Sequence, residues 1–209
     1  MCETLSNMPK TDVERDFDGL VSLIIWPIFK KKGYKKKGNN FRFFDTSGWG
    51  KIVNFQKSSF YNKNHINFTI NIGLYLPEAE KFHCNQLSNE KFSEPSCIVR
   101  KRIGRLTTEN KDLWFDLNEE TDKNVLYATV EKHFKDLVIP YLDKVSSKAD
   151  ILNILANGHQ SDYKASQIQT LYYNGYKEEA KQQLEEAKNR TRNLYFLETL
   201  KELEQSFGD

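Results

Sequence analysis

Apolar and polar residues alternate in two neighbouring runs, IVNFQKSSF from Ile52 and NFTINIGLY from Asn67. In the first run Val53 and Phe55 share a face. In the second, Phe68, Ile70, Ile72 and Leu74 point one way while Asn67, Thr69, Asn71, Gly73 and Tyr75 point the other. A period of two is the period of a strand, so both runs predict strands with one core face and one polar face. Phe41 and Phe43 alternate with Arg42 and Phe44 ahead of the turn Asp45-Thr-Ser-Gly-Trp-Gly, which makes a hairpin with the Val53 strand the economical reading. Cys97 to Leu106 reads as a further strand, and Leu113, Phe115 and Leu117 alternate with Trp114 and Asp116 in a short fifth one. Leu76 to Pro95 holds two prolines and no sustained period, and reads as a long excursion over the surface.

Helical periods flank this sheet. Thr11 or Asp12 can cap a first helix whose apolar positions Val13, Phe17, Leu20, Ile24 and Ile28 recur at three- and four-residue spacing. Pro27 is expected to kink its last turn, and the helix to stop near Lys32, before Gly33. A long helix from about Asp122 carries Leu126, Val130, His133, Phe134, Leu137 and Tyr141 along one stripe, with Pro140 bending or breaking it. Ser147 and Asp150 form a capping pattern for a helix that runs to Gly158. Helices from Ser161 to Asn174, from Tyr176 to about Lys188 and from Arg192 to Phe207 complete the chain. The expected class is α+β: an antiparallel sheet of about five strands packed with an N-terminal helix and a long helix, followed by a C-terminal all-helical tail. Domains are expected at residues 1–145 and 146–209.

Composition fits a folded protein of ordinary kind. Of 209 residues, 38% are hydrophobic and 29% charged, and 14 Phe, 10 Tyr and 3 Trp supply a core. The opening MCETLSNMPK lacks the basic and then apolar run of a secretory signal, and no window approaches the ~18 continuous apolar residues of a membrane helix. Three cysteines, Cys2, Cys84 and Cys97, are too few for a disulfide-stapled secreted domain, so the expected compartment is the cytoplasm. Asn67-Phe-Thr and Asn189-Arg-Thr then match the glycosylation pattern without consequence.

The order helix, GYKKKGNNFRF, IVNFQKSS, FTINIGLY, then CIVRKRIGRL with DLWFDL resembles the bacterial family catalogued as domain of unknown function 4304, over about Asp12 to Tyr141. Its most specific pieces here are Asn54-Phe55-Gln56-Lys57-Ser58, Asn71-Ile72-Gly73 and Arg102-Ile103-Gly104-Arg105-Leu106. The resemblance implies an α+β fold and brings neither a reaction nor catalytic residues. In the tail, Ala165 to Ala187 looks like one tetratricopeptide-type helical hairpin, but stacked arrays need about three copies, so a hairpin packed on the main domain is the simpler reading.

Charge changes this picture at two places. The net charge is only +2, yet Lys30, Lys31, Lys32, Lys35, Lys36 and Lys37 are crowded together, and without them the balance would be negative. Arg100, Lys101, Arg102 and Arg105 form a second basic group. Both could neutralise phosphates, with Tyr34, Phe41 and Phe43 available to stack on bases. Against this, lysines at a helix end and turn serve solubility and guard the first strand against edge pairing. Asn54, Gln56, Asn67, Thr69 and Asn71 form a polar patch if their strands are neighbours, suited to a peptide or small polar ligand or simply to cross-strand bonding. Gln56 and Lys57 are adjacent and so point to opposite faces, a spacing that argues against a restriction-type nuclease.

Other chemistry has little support. His65, His83, His133 and His159 are scattered, and no Ser or Cys sits in a Gly-x-Ser-x-Gly elbow. His83, Cys84 and Cys97 lack the paired spacing of a zinc site, and no Gly-rich strand-to-helix turn exists to cradle phosphates. No cofactor, metal or catalytic residue is expected. The expected role is a cytosolic, non-catalytic protein-binding module, with immunity-type inhibition of a toxin as one form. Its candidate binding residues are Asn54, Gln56, Lys57, Asn71, Arg102 and Arg105. The alternative is nucleic-acid binding through Lys30 to Lys37 and Arg100 to Arg105, and a weaker one is an enzyme working in a cleft between sheet and tail. No membrane partner is expected, and the oligomeric state is left open.

Overall fold

A computed structural model describes residues 9–60, 62–82, 87–158 and 164–207. Among these, six strands form one antiparallel sheet: β1 (Lys35–Lys37), β2 (Asn40–Phe44), β3 (Gly50–Lys57), β4 (His65–Tyr75), β5 (Val99–Arg102) and β6 (Phe115–Asn118). The strand order is β1-β2-β3-β4-β5, and β6 also pairs with β4, placing Phe68 opposite Phe115 and His65 opposite Asn118. Val53, Phe55, Phe68, Ile70, Ile72 and Leu74 are all buried, as the period-two reading requires of the core face, but the face expected to be polar is buried too from Thr69 to Tyr75, where Phe92 stacks on Tyr75.

The sequence pattern missed β1. Its three lysines pair with β2 as Lys35 with Arg42, Lys36 with Phe41 and Lys37 with Asn40, around a turn where Gly38 takes a φ of 57°. Lysine is a poor strand former, and a run of it shows no alternation; the pairing comes from the hairpin turn and the partner strand. The expected strand from Cys97 to Leu106 is shorter than its pattern, because after β5 the chain tightens into a 3-10 turn, Ile103–Leu106.

Contacts divide the chain into two compact units, one of Met1–Phe43, Lys51–Ile72 and Arg100–Asp143, the other of Phe44–Gly50, Gly73–Val99 and Lys144–Asp209. In the first, α1 (Asp12–Gly19) starts at a capping box in which the Thr11 hydroxyl accepts from the Glu14 N–H and the Glu14 carboxylate accepts from the Thr11 N–H. The chain stays helical through a wider π turn, Leu20–Ile25, into α2 (Trp26–Lys31). α3 (Pro77–Lys81) belongs to the other unit. Back in the first unit, α4 (Lys123–His133) likewise passes through a π turn, Phe134–Val138, into α5 (Ile139–Asp143).

Each π turn ends two residues before a proline, Pro27 or Pro140. Proline has no N–H to donate and its ring presses on the carbonyl four residues back, and widening the preceding turn relieves both. The inserted residue slips the helix phase by one. Burial expected at Ile24 and Ile28 falls on Ile25 and Phe29, and burial expected at Leu137 and Tyr141 falls on Val138 and Leu142. Phe29 meets Phe41 at 4.9 Å and Phe134 at 5.0 Å, while Phe68 meets Phe17 at 5.2 Å and Phe115 at 5.3 Å, so aromatic rings join both helices to the core face.

In the second unit, the segment expected to wander over the surface is instead folded inward. Ala79, Glu80 and Phe92 are buried, and Phe92 stacks on Tyr75 at 4.3 Å. A single anchoring aromatic needs no periodicity, which is why the pattern did not reveal it. The tail consists of α6 (Lys148–Asn157), α7 (Ala165–Tyr173), α8 (Lys177–Arg190) and α9 (Leu194–Ser206). α7 and α8 form a hairpin closed at Gly175, whose φ is 89°, and the buried Gln167 donates to Gln183 at 3.1 Å while Gln183 donates to the Leu155 carbonyl at 2.9 Å. His83, Cys84, His159 and the expected helix start at Ser161 lie outside the described residues.

Candidate functional site

The uncharged polar residues do come together. Asn54 donates to Asn40 at 3.0 Å, and Asn71 donates to Gln56 at 2.6 Å and reaches Asn54 at 3.5 Å, so amides from β2, β3 and β4 run in a chain across three strands. Asn71 is only 6% exposed, whereas Gln56 is open to solvent. Thr69 is buried and donates to the Leu113 carbonyl at 2.8 Å, and Asn67 donates to Asp116 at 3.3 Å. These groups therefore answer one another across the sheet, and Gln56 is the exposed member of the chain. Lys57 lies on the opposite face, its ammonium 4.4 Å above the Phe17 ring, where burial pulls its pKa below the ordinary lysine value.

The arginines are occupied as well. Arg102 pairs with Asp112 at 2.7 Å and lies 5.4 Å over the Trp114 ring, while Arg105 donates to the Asn110 carbonyl at 2.6 Å. Both fasten residues 103–114 into a tight loop. Gly104 makes that loop closable: a Cβ there would stand 1.9 Å from the Lys111 carbonyl oxygen. Lys101 covers the Tyr141 ring at 5.9 Å, and Arg100, on β5, is exposed. Because β1 and β5 are at opposite ends of the strand order, the two basic groups do not form one surface on the sheet.

The lysines are placed differently. Lys30 and Lys31 close α2, Lys32 caps it and pairs with Asp143 at 2.8 Å, and Lys35 to Lys37 form the edge strand. The side chains of Lys30, Lys31, Lys36 and Lys37 make no ion pair with another described residue. The aromatic residues among them are not free to stack on bases: Tyr34 and Phe41 are buried, and Phe43 is covered by Lys51 at 5.4 Å and by Tyr34.

Beside these lysines lies a groove of about 500 Å³ whose floor includes Leu23, Ile24, Pro27 and Ile28. The helical stripe gave no sign of it. Its signal in the sequence is that Leu23, Ile24, Ile25, Ile28 and Phe29 are apolar on more than one face of a helix that also holds a proline. A smaller recess of about 300 Å³ lies where Leu106 and Thr107 face His133 and Leu137, with the His133 Nδ1 2.8 Å from the Thr129 carbonyl. Cys97 is buried, its thiol 3.6 Å from the Ser93 carbonyl.

An antiparallel sheet with one face under two helices that widen before their prolines, and with amides bonded to one another on the other face, defines the class as α+β. The chain belongs to the family described as domain of unknown function (DUF4304), whose model matches residues 25–144. That match spans every strand and the groove's Pro27 and Ile28 but begins after α1. Neither the curated proteins nor the solved structures include a match to this chain. Among the described residues, no helix is long and apolar enough to cross a membrane.

Proposed function

We propose that this chain works by binding an acidic segment of another protein through the lysine-rich end of α2 and strand β1. The carrying observation is that Lys30, Lys31, Lys36 and Lys37, close together in the chain, have no carboxylate of the described chain answering them, with Lys36 and Lys37 on opposite faces of the edge strand. Unneutralised charge of one sign steers a partner of the other sign and favours its register once docked. A protein is preferred to a nucleic acid for two reasons. The neighbouring rings are buried or covered, which removes base stacking, and the adjoining surface at Leu23 and Pro27 is apolar. Occlusion of a toxin's active site is the immunity-type form of this reading.

The test is affinity enrichment from the native source with the full chain and with a Lys30→Gln, Lys31→Gln, Lys36→Gln, Lys37→Gln variant, at low and high salt. A protein retained by the wild type, released by salt and lost with the variant supports the reading. Retention that disappears on nuclease treatment would transfer the surface to nucleic acid.

A further inference from the structure

We propose that the groove beside α2 is the seat of an acidic amphipathic helix from that protein partner, an inference that rests on the protein-binding reading above. It begins with Pro27. Without the widened turn Leu20–Ile25, a regular helix would carry Ile24 and Ile28 on the same stripe as Phe17 and Leu20. The slip of one residue gives the core Ile25 and Phe29 and leaves Ile24 and Ile28 half-buried at the side, with Leu23 73% exposed. The helix thus carries a second apolar face that its own core does not use. Single exposed apolar residues are ordinary, whereas four contiguous ones lining a concave surface indicate a contact.

The spacing indicates what fits. Leu23, Pro27 and Lys31 stand four residues apart along one row, and Ile24, Ile28 and Lys32 along the next. Both rows run from apolar to cationic over two turns, which is the complement of a helix with an apolar stripe and carboxylates beyond one end of it. The opposite wall carries Glu131 and Lys135, which pair with each other at 2.6 Å, and Lys32 is held by Asp143. Lys31 is therefore the lining cation left for a partner's carboxylate, with Lys30 beside it. A second copy of this chain fits poorly, since in a two-fold pairing of this groove with itself Lys31 of each copy would face apolar residues or another lysine and not an available carboxylate, Glu131 being held by Lys135.

A photoreactive benzoylphenylalanine placed at position 23, and separately at position 37, in the full chain expressed in its native cells tests this directly. The expected result is a crosslink from position 23 to another protein, mapped to an acidic segment with apolar residues at three- and four-residue spacing. That segment, made as a peptide, should bind the wild type at least tenfold more tightly than Leu23→Asp or Lys31→Glu. Both substitutions fall on exposed side chains, and unchanged thermal unfolding of each variant verifies that the fold is intact. A protein crosslink from position 37 alone would overturn the groove and leave the protein-binding reading standing. Crosslinks from position 23 to a second copy of the chain, or to nothing, would also overturn the groove, and nucleic acid at both positions would overturn both readings.

Discussion

The arginines of residues 100–105 and the lysines of residues 30–37 look alike as strings of charge, and the fold treats them oppositely. Arg102 and Arg105 find Asp112 and the Asn110 carbonyl within the same short loop, and Arg102 adds the Trp114 ring. Lys30, Lys31, Lys36 and Lys37 project from a helix end and an edge strand, where no described carboxylate pairs with them. Availability of a charge for a partner is thus set by what the local chain folds back against it. The arginine loop is built inward, around a glycine, and the lysine edge is built outward.

Gly104 is the position on which the arginine loop depends most. If the arginine loop is structural, Gly104→Ala must push the Lys111 backbone away, since the added carbon would stand 1.9 Å from its oxygen. A loss of about 3 kcal/mol in denaturant unfolding is expected. A neutral result would mean that the loop is loose and its arginines free.

An internally answered acid extends the comparison to the other unit. Burial alone would raise the Glu80 carboxyl, but hydrogen bonds from the Ser88 hydroxyl, Tyr75, the Ser88 N–H and Ser96 outweigh it and hold the pKa below the ordinary glutamate value. A lowered folded-state pKa means that Glu80 contributes its stability above the unfolded-state value and loses it as pH falls through the folded-state one. Glu80→Gln should cost about 2 kcal/mol near neutrality, where Tyr75 and Ser88 lose their charged acceptor. Its unfolding free energy should also fall less steeply than the wild type's on acidification through the carboxylate range. Parallel curves would show that Glu80 is not the group responsible.

Arg102→Ala is a milder probe of the same loop. The Asp112 pair is partly exposed, so its loss together with the Trp114 contact should cost about 1 kcal/mol. Affinity for a partner bound at the lysine edge should not change. A variant that folds as well as the wild type but loses the partner would move Arg102 from scaffold to interface.

The legibility of this fold follows the same division between local pattern and context. Val53, Phe55, Phe68 and Ile70 could be placed because alternation is a property of the strand itself. The shift from Ile24 to Ile25 and from Leu137 to Val138 could not, because it depends on how a helix accommodates Pro27 or Pro140 while packed on the sheet, and a kink was the simpler expectation. The amide chain through Asn54, Asn71 and Gln56 was legible as residue types but not as bonds, since its register is fixed only when β3 and β4 pair. The groove was illegible for the same reason as the helix phase: one inserted residue decides whether Ile24 and Ile28 belong to the core or to a surface.

The smallest effect on stability belongs to the lysines, and it is the outcome that sharpens the contrast most. Changing Lys30, Lys31, Lys36 and Lys37 together to Gln removes favourable contacts with the carbonyl end of α2 but also removes repulsion among four crowded cations. These terms oppose each other, so unfolding free energy should move by about 0.5 kcal/mol or less. Affinity for the acidic partner should nevertheless fall at least tenfold, and the salt dependence of binding should flatten, because the lost attraction is electrostatic and exposed. Stability falling in step with binding would instead mean that the lysines hold β1 in place. The surface would then be a protected sheet edge, and the two basic regions would differ only in how they stabilise the chain.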